Sequence, residues 1–169
     1  MTFLDVMHGY FRGERQIGLA LVVVGLALVG FALWVWRTQS GSFATGLLVP
    51  LAIAGAGAAI GGPVLVVRTD RQVPDLQARY QADPAAMADA ELARMARVNA
   101  NWPRLKAGWT VLTLAALVLL MGVKRDWATG LGLALLILVA VIFTTDVFAE
   151  RRALVYTAAL EQLKGPRCA

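Results

Sequence analysis

Residues 43–67 read FATGLLVPLAIAGAGAAIGGPVLVV, an apolar run without a charged residue. A helix of this length crosses the roughly 30 Å hydrocarbon core of a bilayer. Its bulky residues share one face, and glycine and alanine cover most of the rest; they are Val49, Ile53, Ile60, Val64 and Val67. Small residues favour helix association in lipid because they let backbones approach closely. We therefore predict a transmembrane helix at the centre of a bundle or at an oligomer seam, with the seam at Ala54, Gly57, Ala58, Gly61 and Gly62.

Two prolines interrupt this run. Pro50 and Pro63 each lack a backbone N–H and crowd the carbonyl four residues earlier, which predicts a kink near residues 61–63. Discontinuous helices build ion sites in some transporters, but proline and glycine are also common in ordinary spans whose neighbours satisfy the freed backbone groups. We favour the second interpretation, in which the prolines serve packing.

The whole chain is 59% hydrophobic and 16% charged over 169 residues, which is too apolar for a soluble domain of this size. Three further apolar runs cover residues 17–36, 105–123 and 127–146. The sequence predicts an all-α polytopic membrane protein, a four-helix bundle with four transmembrane helices in two antiparallel hairpins, residues 17–67 and 105–146. The first run lacks a small-residue cleavage site, so we expect a retained signal anchor.

Three polar segments flank the hairpins. Residues 1–16 place Phe3, Met7, Tyr10 and Phe11 at helical spacing, which predicts a short amphipathic helix in the membrane interface that ends before Gly13. Residues 68–104 form a connector for which we predict a helix over 74–82 and a second helix capped by Asp83-Pro84. Such a cap would either contact lipid headgroups or dock a partner.

Residues 147–169 continue the fourth helical pattern to about residue 163, where Gly165-Pro166 stops it. One face of this extension is apolar and is expected to pack on the connector; it comprises Ala149, Ala153, Tyr156, Leu160 and Leu163. Residues Asp146, Arg94, Arg97 and Tyr156 are candidates for a cytoplasmic interface.

Basic residues indicate the orientation. Thirteen of the sixteen lie in the termini, the connector or the span ends beside them, and only Arg37, Lys124 and Arg125 lie on the opposite side. The positive-inside rule then places the N-terminus, the connector and the C-terminus in the cytoplasm of an inner (plasma) membrane. These basic residues form no run interleaved with aromatics, so nucleic-acid binding is not expected.

Residues for chemistry are sparse. The predicted spans hold no ionisable group at mid-bilayer depth, whereas coupled transporters and proton relays usually carry one. Asp146, at the end of the fourth span, suggests either a cation-linked gate or, as we favour, an interface carboxylate paired with Arg68, Lys106 or Arg151. His8 lacks companion ligands, and Cys168 suits neither an intrachain disulfide nor a prenylation box.

No catalytic motif is present, so neither an enzyme nor a cofactor is expected. The sequence therefore favours a non-enzymatic protein of a bacterial inner membrane that acts through protein–protein interaction, as an accessory, regulatory or immunity-type subunit. Its expected partners are the lipid bilayer and a membrane protein or a second copy of itself. The alternative is a small homo-oligomeric channel or transporter whose path is lined by the glycine-rich second helix.

Overall fold

Four long helices make up residues 2–164, the part of the chain that the computed structural model describes. They are α1 (Phe3–Thr38), α2 (Ser42–Ala82), α3 (Pro84–Gly122) and α4 (Asp126–Leu163). Each contains a stretch long and apolar enough to cross a membrane. The predicted all-α chain with four long apolar helices is therefore confirmed, and its composition is that of a membrane protein.

Side-chain caps define two of the helix starts. The Thr2 hydroxyl accepts a hydrogen bond from the Asp5 backbone N–H at 3.3 Å, and the Asp5 carboxylate accepts one from the Thr2 backbone N–H at 2.8 Å. At the start of α3, Asp83 Oδ1 accepts bonds from two successive backbone N–H groups at 3.0 Å each, with Pro84 in the first turn. The predicted Asp83-Pro84 cap is confirmed.

The helices are longer than the predicted segments, which corrects two expectations. The separate interfacial helix before Gly13 is wrong, because α1 continues through Gly13 without a break. The separate helix over 74–82 is also wrong, because these residues are the end of α2. α2 stays helical through Pro50, Pro63 and Pro74. The kink expected near residues 61–63 stays a prediction, since a continuous helix can still bend.

Packing explains this continuity. Each proline removes a single backbone hydrogen bond, whereas neighbouring helices contact α2 along its length and hold the remaining turns. Gly13 likewise lets α1 lie close to a side chain of α4, since a Cβ there would lie 2.5 Å from Nε of Arg152. The predicted extension of α4 to about residue 163 is confirmed, while Gly165, Pro166 and Cys168 lie outside the described residues.

Glycines carry the contact between α1 and α2. A Cβ on Gly62 would lie 2.6 Å from the carbonyl oxygen of Gly18. Two turns further along α1, Gly25 lies against the backbone of Gly55 and Ala59. Residue numbers rise along α1 as they fall along α2 through these contacts, so the two helices run in opposite directions.

α4 joins the other helices. Gly46 of α2 lies against the backbone of Trp127, and Gly130 of α4 lies against the backbone of Phe43. On its other side α4 contacts α3, where a Cβ on Gly132 would lie 2.8 Å from the carbonyl oxygen of Ala116. Three helix pairs thus meet through bare backbone, the arrangement that lets helices pack closely in lipid.

Large buried side chains concentrate at one end of the bundle. We call residues 2–16, 68–104 and 147–164 the polar end, and residues 17–67 and 105–146 the apolar half. The core of the polar end draws on all four helices and consists of Met7, Tyr10, Phe11, Leu76, Met87, Ala88, Met95, Ala153, Tyr156 and Leu160. The predicted packing of the α4 extension on the connector is confirmed by Ala153, Tyr156 and Leu160. In the apolar half the buried residues are mostly glycine and alanine.

Candidate functional site

A buried carboxylate lies at the centre of the polar end. Glu91 is 5% exposed, and its Oε1 accepts hydrogen bonds from Nε and Nη2 of Arg94 at 2.9 and 2.6 Å. The hydroxyl of Tyr156 donates to the same oxygen at 3.3 Å. A buried charge is tolerated when it is paired and hydrogen-bonded. The ion pair lies within α3, and the Tyr156 bond joins α3 to α4.

Helical spacing places Glu91 there. Met87 and Met95 lie four residues before and after it, share its face and are 3% and 0% exposed. The Asp83 cap sets the start of α3 and therefore the direction of this face. The carboxylate consequently enters the bundle between two apolar side chains, beside the α4 residue that donates to it.

Aromatic rings surround the pair. Tyr156 is fully buried and stacks on Tyr10, with ring centroids 4.8 Å apart and planes 14° from parallel. Phe11 meets Tyr156 edge to face at 5.9 Å, and the Arg94 guanidinium lies 5.9 Å from the centroid of the Phe11 ring. This ring cluster joins α1 to α4 and shields the Glu91–Arg94 pair from water.

Burial shifts the pKa of both stacked phenols. It raises the pKa of Tyr10, to which the charge of the hydrogen-bonded Glu14 adds, and it raises the pKa of Tyr156, to which the charge of Glu91 adds. Burial alone would lower the pKa of Arg94, but the hydrogen bonds and charge of Glu91 outweigh it and raise that pKa. The phenols therefore stay neutral and the guanidinium stays charged across the physiological pH range.

Alkaline titration provides a test of the ring cluster. We expect the native protein at about pH 11 to show less phenolate absorbance than the denatured protein, because free tyrosine ionises near pH 10. The raised pKa of Tyr10 and Tyr156 means that their contribution to stability is present below about pH 10 and is lost as the pH rises through their native values. In a Tyr10→Phe/Tyr156→Phe variant the gap between native and denatured absorbance should shrink, and an unchanged gap would contradict the burial of these two hydroxyls.

A cavity lies where the polar end meets the apolar half. Its volume is about 170 Å³, and every helix contributes to its wall. Its wall includes Tyr10, Glu14, Leu65, Trp102, Asp146 and Arg152. The cavity thus brings two carboxylates and one guanidinium together at the boundary of the predicted membrane region.

Two of the side chains that line this cavity also carry buried polar atoms without a partner. Oε2 of Glu14 and both Nε and Nη2 of Arg152 are screened from solvent and have no hydrogen-bond partner among the residues that the structure describes. The other oxygen of Glu14 accepts the Tyr10 hydroxyl at 2.8 Å. Buried polar groups are nearly always satisfied in folded proteins, so these three atoms are exceptions to that rule.

The predicted seam residues of α2 divide between two surfaces. Gly62 is buried against α1, and Ala54 and Ala58 are half-buried. Gly57 and Gly61 are exposed, and a Cβ on either would meet nothing within 4 Å. The packing seam within the chain therefore lies one helix face away from these two glycines, and their role at an oligomer seam stays a prediction.

The four candidates for a polar interface also separate. Tyr156 is 0% exposed and Arg94 is bonded to Glu91, so both belong to the core of the polar end. Arg97 is exposed. Asp146 borders the cavity and accepts a bond from the indole N–H of Trp109 at 2.8 Å, and it has no ion pair with the three predicted basic partners, since Lys106 pairs instead with Glu150.

The sequence patterns did not identify three candidate functional residues: Glu14, Glu91 and Arg152. Glu14 and Arg152 sit in charged stretches typical of solvated surface, and only their meeting across α1 and α4 distinguishes them. His8 has its Nε2 2.9 Å from the side-chain nitrogen of Gln77. Residues 2–164 contain no cluster of three metal-ligating side chains.

Comparison with known proteins adds no family to this description. No protein-family model matches the chain, and no curated protein or solved structure matches it.

Proposed function

We propose that this chain is a non-enzymatic membrane protein that acts by associating with another transmembrane helix through the Gly57/Gly61 face of α2. In this proposal α1–α2 and α3–α4 form two membrane hairpins of an inner membrane. The polar end lies in the cytoplasm, because thirteen of the sixteen basic residues are in it or beside it. The accessory, regulatory or immunity-type roles all require such an association.

The exposure of Gly57 and Gly61 is the observation that carries this proposal. Three other glycines of α2, at positions 46, 55 and 62, lie against backbone atoms of the chain's own helices. Gly57 and Gly61 are four residues apart on one face and meet open space. This is the small-xxx-small spacing that supports close helix association in membranes.

Bulky neighbours give this face its shape. Ile53 and Ile60 are each 70% exposed, and Val64 is 64% exposed. They lie on one side of the two glycines, so the bare backbone forms a shallow trough beside branched side chains. A second helix that enters this trough would gain van der Waals contact with both the bare backbone and the flanking side chains, which is the main source of helix association in lipid.

Substitution of the two glycines tests the proposal. We expect a Gly57→Leu/Gly61→Leu variant to lose its partner or its second copy, because the leucines fill the trough. Its unfolding midpoint should match that of the unmodified protein, since neither position contacts the rest of the chain. Native mass spectrometry of protein released from native-membrane nanodiscs measures the association, and Ile60→Leu is the control of similar volume.

The mass of the complex also selects the partner. A second protein in fixed ratio, lost on substitution, would identify a heterologous partner. A pure oligomer of this chain would support self-association, and solute flux through liposomes that contain it would favour the channel alternative. A single chain in the unmodified sample, without any companion, would contradict the proposal.

A further inference from the structure

We infer that a groove on the outer face of α2 binds an anionic phospholipid, with the lipid phosphate on Arg68 and Arg71 and the start of an acyl chain on Val64 and Val67. The inference rests on the membrane placement of α2 in the proposed function, but it does not depend on association through the Gly57/Gly61 face.

Sequence spacing forms this groove on one face of α2. Positions 63, 67 and 71 are four residues apart, as are positions 64, 68 and 72, so the two rows lie side by side. Each row begins with an apolar residue and ends with a polar one, and the change falls between Val67 and Arg68. A phospholipid changes from acyl chain to headgroup in the same direction. The six lining residues all belong to α2: Pro63, Val64, Val67, Arg68, Arg71 and Gln72.

Ion pairs between helices show where the apolar half ends. Arg15 of α1 pairs with Asp70 of α2 at 3.2 Å, just beyond the ends of the apolar runs of these two helices. Arg68 and Arg71 lie within two residues of Asp70, so they lie at the same boundary. Phospholipid headgroups occupy this level of a bilayer, and basic residues beside a membrane span attract the anionic ones.

The two guanidiniums of the groove are free to bind an anion. Arg68 and Arg71 are exposed, and neither forms an ion pair within residues 2–164. Nε of Arg68 donates to the side-chain oxygen of Gln72 at 3.4 Å, a long bond that a charged acceptor can replace. Residues three apart on a helix are neighbours, so both side chains can reach one phosphate, whose oxygens match the two-donor edge of a guanidinium.

The neighbouring carboxylates explain a preference for an anionic headgroup over a zwitterionic one. Asp70 is paired with Arg15, and Asp75, one turn beyond Arg71 on the same face, is paired with Arg79 at 3.0 Å. A zwitterionic headgroup would therefore bring an ammonium to a surface whose nearby carboxylates already have partners. An anionic headgroup brings only the charge that the two free guanidiniums lack.

The apolar part of the groove indicates a lipid instead of a free phosphate. Val64 and Val67 are exposed large apolar side chains directly below the two arginines. An acyl chain that lies along them gains van der Waals contact while its phosphate meets the guanidiniums. A free phosphate would use only the basic half of the groove.

Lipid binding to delipidated protein in detergent tests the inference. Phosphatidylglycerol, phosphatidylethanolamine and phosphatidylcholine with the same acyl chains are added in turn, and native mass spectrometry counts the bound lipid. One arginine near an anionic surface increases affinity roughly fivefold, so we expect the two together to favour phosphatidylglycerol by at least about tenfold. Equal binding of the three lipids would overturn the inference.

Two double variants of equal charge assign the preference to the groove. Arg68→Gln/Arg71→Gln should bind the three lipids about equally. Its unfolding midpoint should match that of the unmodified protein, because neither arginine has a described ion pair to lose. Arg12→Gln/Arg97→Gln removes the same charge from exposed positions of α1 and α3 and should keep the preference. An equal loss of preference in both variants would show general attraction to the basic polar end and would overturn the site.

The free headgroup separates a lipid site from a simple anion site. We expect glycerophosphoglycerol, which has the same headgroup without acyl chains, not to displace phosphatidylglycerol at about tenfold excess. Displacement by an equal concentration would overturn the assignment to a lipid.

The lipid site and the proposed association fail independently. Gly57→Leu/Gly61→Leu should keep the lipid preference, because neither glycine lines the groove. Arg68→Gln/Arg71→Gln should in turn keep the companion of the unmodified protein. Absence of any companion contradicts the association while the lipid preference remains, whereas equal lipid binding contradicts the groove while the companion remains.

Discussion

Glu91→Ala is expected to lower the free energy of unfolding by about 3 kcal/mol, because removal of one member of a buried ion pair leaves the other charge uncompensated. Arg94 would lose both of its hydrogen bonds to Oε1, and the Tyr156 hydroxyl would lose its acceptor. For a chain of this length the loss corresponds to a fall of roughly 6 to 12 °C in the unfolding midpoint. Far-UV circular dichroism of the detergent-solubilised protein measures it.

Two companion variants separate the charge effect from general damage to α3. Asp89 lies two residues before Glu91, but its side chain is 55% exposed and pairs with Lys164 on the surface. Asp89→Ala should therefore change stability by no more than about 0.5 kcal/mol. A Glu91→Leu/Arg94→Leu variant should recover much of the loss, because two apolar side chains replace two charges. An equal loss for Asp89→Ala and Glu91→Ala would contradict the role of the buried pair.

Much of the fold follows from local sequence signals. Uncharged runs of about twenty residues predict the long apolar helices, and Asp83-Pro84 predicts the start of α3. The apolar face of the α4 extension predicts its burial, since Ala153, Tyr156 and Leu160 recur every three or four residues. The rule that proline ends or begins a helix gave wrong helix ends here. It uses local sequence only and does not include the contacts that neighbouring helices supply.

The packing face of α2 is harder to predict because nearly every position between 54 and 62 is small. Periodicity distinguishes large from small residues, and here it identifies the bulky, exposed side of α2 without choosing among the small faces. Which small face of α2 packs within the chain depends on α1. Its glycines at 18 and 25 are seven residues apart, as are Gly55 and Gly62, and this matched spacing places the two pairs together.

The cavity is less predictable still. Glu14, Asp146 and Arg152 come from separate helices, and their meeting depends on how α1 and α4 pack around Gly13. Glu91 does carry a local signal, since methionines four residues to either side predict an apolar face around it. Arg94, three residues later, gives the opposite signal, because charge pairs at this spacing more commonly lie on a solvated helix surface.

Gly62→Leu is expected to cost about 3 kcal/mol or more, whereas Gly61→Leu, one residue earlier, should leave stability unchanged. A side chain at position 62 meets the carbonyl oxygen of Gly18 at 2.6 Å, and backbone cannot yield as a flexible side chain can. Gly25→Leu should be as harmful, because it meets the backbone of Ala59 on the same interface. Thermal unfolding in detergent compares the three variants.

The contrast between neighbouring glycines separates folding from association. If Gly61→Leu keeps the native unfolding midpoint but no longer binds its companion, then α2 packs within the chain through one face and binds its partner through another. Gly62→Leu should lose both the native unfolding midpoint and the companion, since the trough depends on a correctly packed α2. If Gly61→Leu unfolds as easily as Gly62→Leu, then both glycines contribute to the same packed interface, and the open face of α2 carries no partner.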